Sequence, residues 1–174
     1  METKLILTAI DIASTAHRGT TRKYNNEPYI VHPKRVANLV EFKVQDEHLI
    51  AAAWLHDVLE DTEFDRAEMF QKVGARVFLL VTELTNPSKI WFPNPHTLKR
   101  ADRKYLDRLH LRHVSPDAKF IKLCDRLDNI IDIQGADDEF KKLYKQETEI
   151  LLAEVLMGID YEYEIRLREA LKLL

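Results

Sequence analysis

Between Leu5 and Ala16 the apolar positions fall at 5, 6, 9, 10, 12, 13 and 16, the stripe of an amphipathic helix. A polar stretch follows over 18–28. His32-Pro33 then opens a second helix with proline at its first position, where a missing N–H does no harm, and Val36, Leu39 and Val40 give that helix a buried face. Asp46 reads as the N-cap of a helix over 47–59 that is apolar almost throughout. Residues 66–86 predict two short helices divided at Gly74. Pro87, Pro93 and Pro95 mark a loop carrying Trp91 and Phe92, and a charged helix runs from His96 to about Arg112. Ser115-Pro116 supplies an N-cap and an N1 proline for a helix over 116–133, ended by Gly135. A final helix or pair of helices covers roughly 137–173, with a break at Gly158-Ile159-Asp160. No internal repeat, low-complexity tract or linker divides the chain, so the pattern predicts one all-α domain over 1–174.

Composition sharpens this. The 174 residues include only four glycines, one cysteine and 32% charged residues. Folds that bring backbone close to ligands usually do so with glycine, and GxGxxG, GxxxxGK[ST] and GxSxG are all missing. A single cysteine excludes a disulfide framework and a CxxC zinc site, and it fits a reducing compartment. No segment approaches the eighteen apolar residues of a membrane span, and Met1-Glu2-Thr3-Lys4 leads into an amphipathic stretch rather than an apolar signal segment. The expectation is a soluble, cytoplasmic protein that needs neither membrane nor nucleic acid as partner. The net charge of −3 is an average. Residues 96–126 hold nine Lys/Arg against four Asp, whereas 127–174 hold six Lys/Arg against twelve Asp/Glu. A basic segment inside an acidic protein points to a local anion site, although a solvated helix face reads the same way.

Two places interrupt apolar stripes with groups that need partners. His56-Asp57 follows Leu49-Ile50-Ala51-Ala52-Ala53-Trp54-Leu55, and a buried ionised carboxylate without a partner costs several kcal/mol. On a continuous helix the two side chains diverge by about 100° and can still converge on one ion, with Glu60 and Asp61 one turn further along. Taken alone, the cluster also fits a helix end emerging into solvent. Asp125 and Asn129 stand at i,i+4 among Phe120, Ile121, Leu123, Ile130 and Ile131. With His32 at a helix start, two histidines and two aspartates make a mixed N/O set suited to Mn²⁺ or Fe²⁺, with Zn²⁺ or Mg²⁺ as substitutes.

In the order H…HD…D, these residues resemble the signature of the HD-domain metal-dependent phosphohydrolases. The chain is similar in particular to the Rel/SpoT hydrolase domain and the stand-alone small alarmone hydrolases. The matching blocks are His17-Arg18-Gly19 with Arg22-Lys23, Glu27-Pro28-Tyr29-Ile30-Val31-His32-Pro33, Leu55-His56-Asp57-Val58-Leu59-Glu60-Asp61-Thr62, and Ile121-Lys122-Leu123-Cys124-Asp125-Arg126-Leu127-Asp128-Asn129. The resemblance implies a compact HD-domain helical bundle holding one Mn²⁺ through His32, His56, Asp57 and Asp125. The implied reaction removes the 3′-pyrophosphate of ppGpp or pppGpp, with Glu60 and Asp61 orienting or deprotonating the attacking water. It also implies Arg22 over the base, Lys23 beside the nucleotide, Asn129 at the ribose, Arg100 facing the phosphates and Tyr144 lining the base pocket.

Three departures touch substrate recognition and none touches the metal set. The 22–27 loop is one residue longer than the family pattern and lacks its glycine, Ile131 stands where a guanidinium is common, and 86–96 is unlike the usual Asp-rich segment. They keep two alternatives in play: an HD-type phosphatase acting on NADPH or another 2′- or 3′-phosphorylated nucleotide, and a non-catalytic nucleotide-binding module. Other conspicuous residues read as structural: Cys124 and Trp54 as core, and His48, His110 and His113 as surface. His17 heads a matching block or braces the loop after the first helix.

Overall fold

The computed structural model describes residues 3–92, 94 and 97–174. In chain order the helices are α1 (Lys4–Ala16), α2 (Val31–Lys43), α3 (Glu47–Leu55), α4 (Val58–Asp61), α5 (Arg66–Leu84), α6 (Pro87–Trp91), α7 (Arg100–Leu111), α8 (Pro116–Ile133), α9 (Asp138–Leu151), a π-helical turn over Leu152–Leu156, and α10 (Tyr161–Leu171). Among the described residues there is no strand, only an isolated antiparallel bridge between Thr21 and Pro28 that pinches the polar loop closed. The fold is all-α, as the periodicity predicts.

The most apolar stretch of the sequence forms the centre. Every residue of α3 from Leu49 to Leu55 is buried, and α1, α2, α5 and α8 pack around it. Helix α8 lies between α2 and α10, while α6 packs on α7. Trp54 and Cys124 belong to the core, as expected, and burial pushes the Cys124 thiol far above its ordinary value. His113 is exposed, but His48 and His110 are half-buried, and His110 Nε2 donates to the Glu83 carbonyl at 2.8 Å.

Capping sets several boundaries. Side chains of Asp46, Asp65, Ser115, Asp137 and Asp160 accept backbone N–H bonds at the starts of α3, α5, α8, α9 and α10, each contributing about 1 kcal/mol. Gly74, with φ of 78°, kinks α5 where two helices were expected. Gly158, with φ of 86°, precedes the break before α10.

Four boundaries differ from the sequence expectation. Helix α2 begins at Val31, so Pro33 is its third residue; a turn closed by Val31 N→Pro28 O and His32 N→Tyr29 O carries the helix upstream. The 47–59 helix ends at Leu55, and His56-Asp57 form a turn before α4. The His56 ring donates through Nδ1 to the Ala53 carbonyl at 2.8 Å, the carbonyl an unbroken helix would offer to the residue-57 N–H. Pro87 starts the short helix α6, so Trp91 is helical and two-thirds exposed; Pro93, Pro95 and His96 lie outside the described residues. The charged helix α7 spans Arg100–Leu111.

The loop carrying Arg22 and Lys23 is held against the end of α8. Tyr24 N donates to Asp132 Oδ1, and a Cβ at Gly135 would lie 2.7 Å from the Tyr24 carbonyl oxygen. That approach is too close for any side chain. Gly135→Ala is expected to push the loop off α8 and destabilise the fold by about 1–3 kcal/mol. Denaturant unfolding of the purified variant measures this, and an unchanged midpoint refutes the contact as a constraint.

Candidate metal centre

Three parts of the fold bring four candidate ligand atoms to one point. The first turn of α2 supplies His32, the turn after α3 supplies His56 and Asp57, and the middle of α8 supplies Asp125. His32 Nε2 lies 3.2 Å from His56 Nε2, 3.4 Å from Asp57 Oδ2 and 3.2 Å from Asp125 Oδ1. His56 Nε2 lies 3.2 Å from Asp57 Oδ2 and 3.7 Å from Asp125 Oδ1. His32, His56 and Asp57 form a mutually close set, with Asp125 approaching both rings. Two bonds of about 2.1 Å meeting at an ordinary coordination angle separate their ligand atoms by about 3.0–3.4 Å, the spacing of every pair given except His56–Asp125, which is wider.

The protonation pattern completes the case for a cation. His32 Nδ1 lies 2.6 Å from Asp128 Oδ2, and His56 Nδ1 donates to the Ala53 carbonyl. A carboxylate and a carbonyl only accept, so both Nδ1 atoms carry the proton and both Nε2 atoms present lone pairs. Two lone pairs and two carboxylates therefore face one another, with His32, His56 and Asp125 each no more than 3% exposed. The set fits a divalent ion.

The electrostatics agree. Burial works against the charge on Asp57, but the His56 and His32 rings hold its carboxyl well below the usual range. Asp125 is held low against its burial by Lys122 and the same two rings. Burial would lower His32, yet its bonds to Asp125, Asp128 and Asp57 push it up to about 9. His56 is likewise raised well above its ordinary value, Asp57 and Asp125 outweighing its burial. Without an ion, protons fill the cationic role.

Glu60 and Asp61 follow on α4. Glu60 accepts from Asn86 N and Nδ2 at 3.0 Å each and pairs with Lys89 Nζ at 2.9 Å. Asp61 pairs with Lys89 at 2.5 Å. The Tyr29 hydroxyl bridges the two acidic groups, 2.7 Å from Asp57 Oδ2 and 3.1 Å from Asp61 Oδ2. Burial, then the neighbouring Asp57 charge, raises the Asp61 carboxyl despite Lys89. His17, whose role the sequence left open, is buried and stacks on the Tyr29 ring with centroids 4.6 Å apart.

The ligands Asp57 and Asp125, together with Glu60 and Asp61, line a cavity of about 160 Å³. Its cations are Lys104, Lys122 and Arg126. Lys122 reaches Asp125 Oδ2 at 2.8 Å. The Arg126 guanidinium lies 5.1 Å from the Tyr144 ring centre, and Arg126 Nε and the Tyr144 hydroxyl are buried with no hydrogen-bond partner among the described residues. Burial, reinforced by Arg126 and Lys122, drops the Lys104 ammonium to about 8.

The expected substrate residues fare unevenly. Asn129 lines the cavity and donates to Asp125 Oδ1. Arg22 is buried behind it, donating to Asn129 Oδ1 at 2.7 Å, 3.5 Å from Asp132 and beside the Tyr29 ring. Lys23 is exposed and lies over Tyr24 and Phe140. Tyr144 is buried against Arg126 rather than lining the cavity. Arg100 is not among the cavity's cations: Glu147 of α9 takes it in a bidentate pair at 2.7 and 2.9 Å, and Lys104, one turn on, stands in the cavity instead. Sequence reasoning missed Tyr29, Asn86, Lys89, Lys104 and Asp128. Asp128 lies three residues from Asp125 on one face of α8, and Tyr29 three residues before His32 in the turn that opens α2, a spacing that was available.

The HD-domain family model (HD_4) matches residues 9–155. The chain belongs to the HD-domain family. It is 35% identical over 175 residues to the human guanosine-3′,5′-bis(diphosphate) 3′-pyrophosphohydrolase MESH1, covering 98% of this chain and 93% of that protein. It is 32% identical over 140 residues to the enzyme of that activity from Aquifex aeolicus, covering 80% of this chain and 19% of that longer protein. Among solved structures, a metazoan orthologue of SpoT described as hydrolysing ppGpp superposes with a TM-score of 0.86 at 28% identity, covering 100% of this chain and 99% of that one. A Listeria monocytogenes protein at 23% identity shares the fold, with a TM-score of 0.63.

For an HD-domain centre the protonation pattern sets a pH dependence. His32 is raised in the fold from 6.5 to about 9, so its contribution to stability is full below pH 6.5 and lost as pH climbs through about 9. The melting temperature of metal-free protein is expected to fall across that window, and saturating divalent metal to flatten the profile while releasing protons on binding. Scanning calorimetry at stepped pH with and without Mn²⁺ measures this; a flat metal-free profile contradicts it.

Proposed function

We propose that this HD-domain chain removes the 3′-pyrophosphate of ppGpp or pppGpp, yielding GDP or GTP and pyrophosphate, with one Mn²⁺ held by His32, His56, Asp57 and Asp125. The observation that carries the proposal is one cavity lined by His32, Asp57 and Asp125, with His56 close behind them, together with the Glu60-Asp61 pair and three cations. The chain has nearly the whole length of relatives named for that activity. We take residues 1–174 as one hydrolase domain, since the family match spans most of it and α10 packs on α8. A free nucleotide substrate fits action in the cytoplasm.

A divalent ion bound there lowers the pKa of water and neutralises charge on phosphate oxygens. The protein's residues do the rest. Asp61, its carboxyl raised by burial and by Asp57, is a stronger proton acceptor than an ordinary carboxylate and would take the proton from water. Tyr29 fixes its orientation relative to Asp57, and Asn86 and Lys89 hold Glu60 in place. Lys104, Lys122 and Arg126 receive the phosphates, while Asn129, tied to Arg22, faces the sugar. Lys23 and Arg22 border the nucleoside, Tyr144 supports Arg126 from below, and Arg100 acts through Glu147 rather than on phosphate.

The deciding experiment incubates the protein and Mn²⁺ with ppGpp, pppGpp, ppApp and NADPH in parallel. Pyrophosphate release from ppGpp is expected. Orthophosphate release from NADPH alone would replace the substrate assignment, and no turnover of any substrate would overturn the enzymatic reading. Asp125→Ala is expected to abolish turnover.

The cation assignment has its own check. Lys104→Met should raise KM for the accepted substrate about 10–100-fold, the loss of one charge-assisted phosphate bond of about 1.5–3 kcal/mol. Arg100→Met should change KM less than threefold. Steady-state kinetics of the two variants decides between the positions, and the reverse order would return Arg100 to the phosphates.

A further inference from the structure

The two metal-facing histidines are held by different partners. His56 Nδ1 donates to a neutral backbone carbonyl, that of Ala53. His32 Nδ1 faces a carboxylate, Asp128 Oδ2, at 2.6 Å, and Asp128 is only 3% exposed. Asp128 is itself clamped: Arg35 Nε lies 2.9 Å from its other oxygen, and Arg35 pairs onward with Glu27 of the polar loop. His32 and Arg35, three residues apart on α2, thus grip one carboxylate of α8.

We infer that Asp128 is the positioning residue of the metal centre, fixing the His32 tautomer and making His32 the stronger of the two nitrogen donors. A neutral imidazole can carry its proton on either nitrogen, and a proton on Nε2 would block the ion. A carboxylate at 2.6 Å removes that choice, because it can accept from Nδ1 and offers Nε2 no proton. Its negative charge also raises the electron density the ring presents at Nε2, which the neutral carbonyl behind His56 does less well. Arg35 lies in an ion pair beside Oδ1 while Oδ2 faces the ring, so the two oxygens of Asp128 have different charged neighbours. Glu27 extends the chain Glu27–Arg35–Asp128–His32, so the loop bearing Arg22 and Lys23 is tied to the ion through a second route besides Arg22–Asn129–Asp125.

The inference rests on His32 as a metal ligand and not on the identity of the substrate. The test titrates Mn²⁺ into wild-type protein, Asp128→Asn and the surface control Asp138→Asn, following free Mn²⁺ by electron paramagnetic resonance, with far-ultraviolet circular dichroism confirming the fold of each. Asp128→Asn is expected to stay folded and to bind one Mn²⁺ about 10–100-fold more weakly, while the control matches wild type. A role for Asp128 in stability alone would lower the melting temperature and leave the affinity of the folded protein untouched. Folded Asp128→Asn with affinity within threefold of wild type overturns the inference and leaves the metal reading standing. Wild-type protein that takes up no Mn²⁺ overturns both. Should Asp128→Asn not fold, ¹H–¹⁵N spectra of Zn²⁺-loaded wild type decide: a His32 Nδ1 proton shifted further downfield than the His56 Nδ1 proton supports the inference, and an equal or smaller shift overturns it.

Discussion

Everything in this fold depends on four lone-pair-bearing side chains being forced together in a dry place. His32 Nε2 and His56 Nε2 face each other at 3.2 Å with their protons pinned on the far nitrogens, and two carboxylates close the set. Such a cluster repels itself unless a cation, metal or proton, sits within it. The surrounding architecture supplies the free energy to assemble it. Helix α3 is buried on all sides from Leu49 to Leu55, and its burial carries the polar turn at His56-Asp57 into the interior. Helices α2 and α8 pack against each other and deliver His32 and Asp125. The four groups come from separated parts of the chain, so an ion bound among them and the tertiary structure would stabilise one another.

Two kinds of charge share the cavity beside this cluster, and each has a different relation to its neighbours. Glu60 and Asp61 are balanced by Lys89, a side chain about half exposed that can give way when a phosphate arrives. Lys104, Lys122 and Arg126 stand together instead, and the Lys104 ammonium drops to about 8 through burial first and its two cationic neighbours second. A buried cation beside two others is relieved by an anion. An acidic edge suits an attacking water and a basic edge suits the phosphates it attacks.

The convergence of His32, His56, Asp57 and Asp125 was legible because each interrupted an apolar stripe or headed a helix, where a charged group has no cheap structural reason to be. Caps at Asp46 and Ser115 and the kink at Gly74 were legible for the same local reason: they depend on neighbouring backbone alone. What the sequence hid was decided across the chain. The break at His56-Asp57 arises from a ring bonding to Ala53, which periodicity cannot register. Arg100 and Lys104 share one face of α7 four residues apart, and only the placement of Glu147 on α9 determines which is neutralised and which faces the cavity. Gly135 looked like a helix stop, yet its closer constraint is the Tyr24 backbone more than a hundred residues earlier.

The scarcity of glycine bears on how phosphate is held. A glycine-rich loop binds phosphate with backbone N–H groups, which carry no net charge and stay in place whether or not a ligand is present. Here the task falls to side-chain cations, which must be kept apart from the acidic ligands without collapsing onto them. Asp125 meets that requirement by dividing its oxygens: Oδ1 faces the histidines and Asn129, while Oδ2 takes Lys122. One carboxylate thus joins the metal side of the cavity to its phosphate side, and Lys122 pulls on it with a charge that the ion also needs. Substitution at Asp125 therefore removes a ligand and releases a cation at once, whereas substitution at Lys122 should leave all four ligands present and shift the carboxylate's charge toward the ion. Loss of phosphate binding with retained metal is the signature that separates the second from the first.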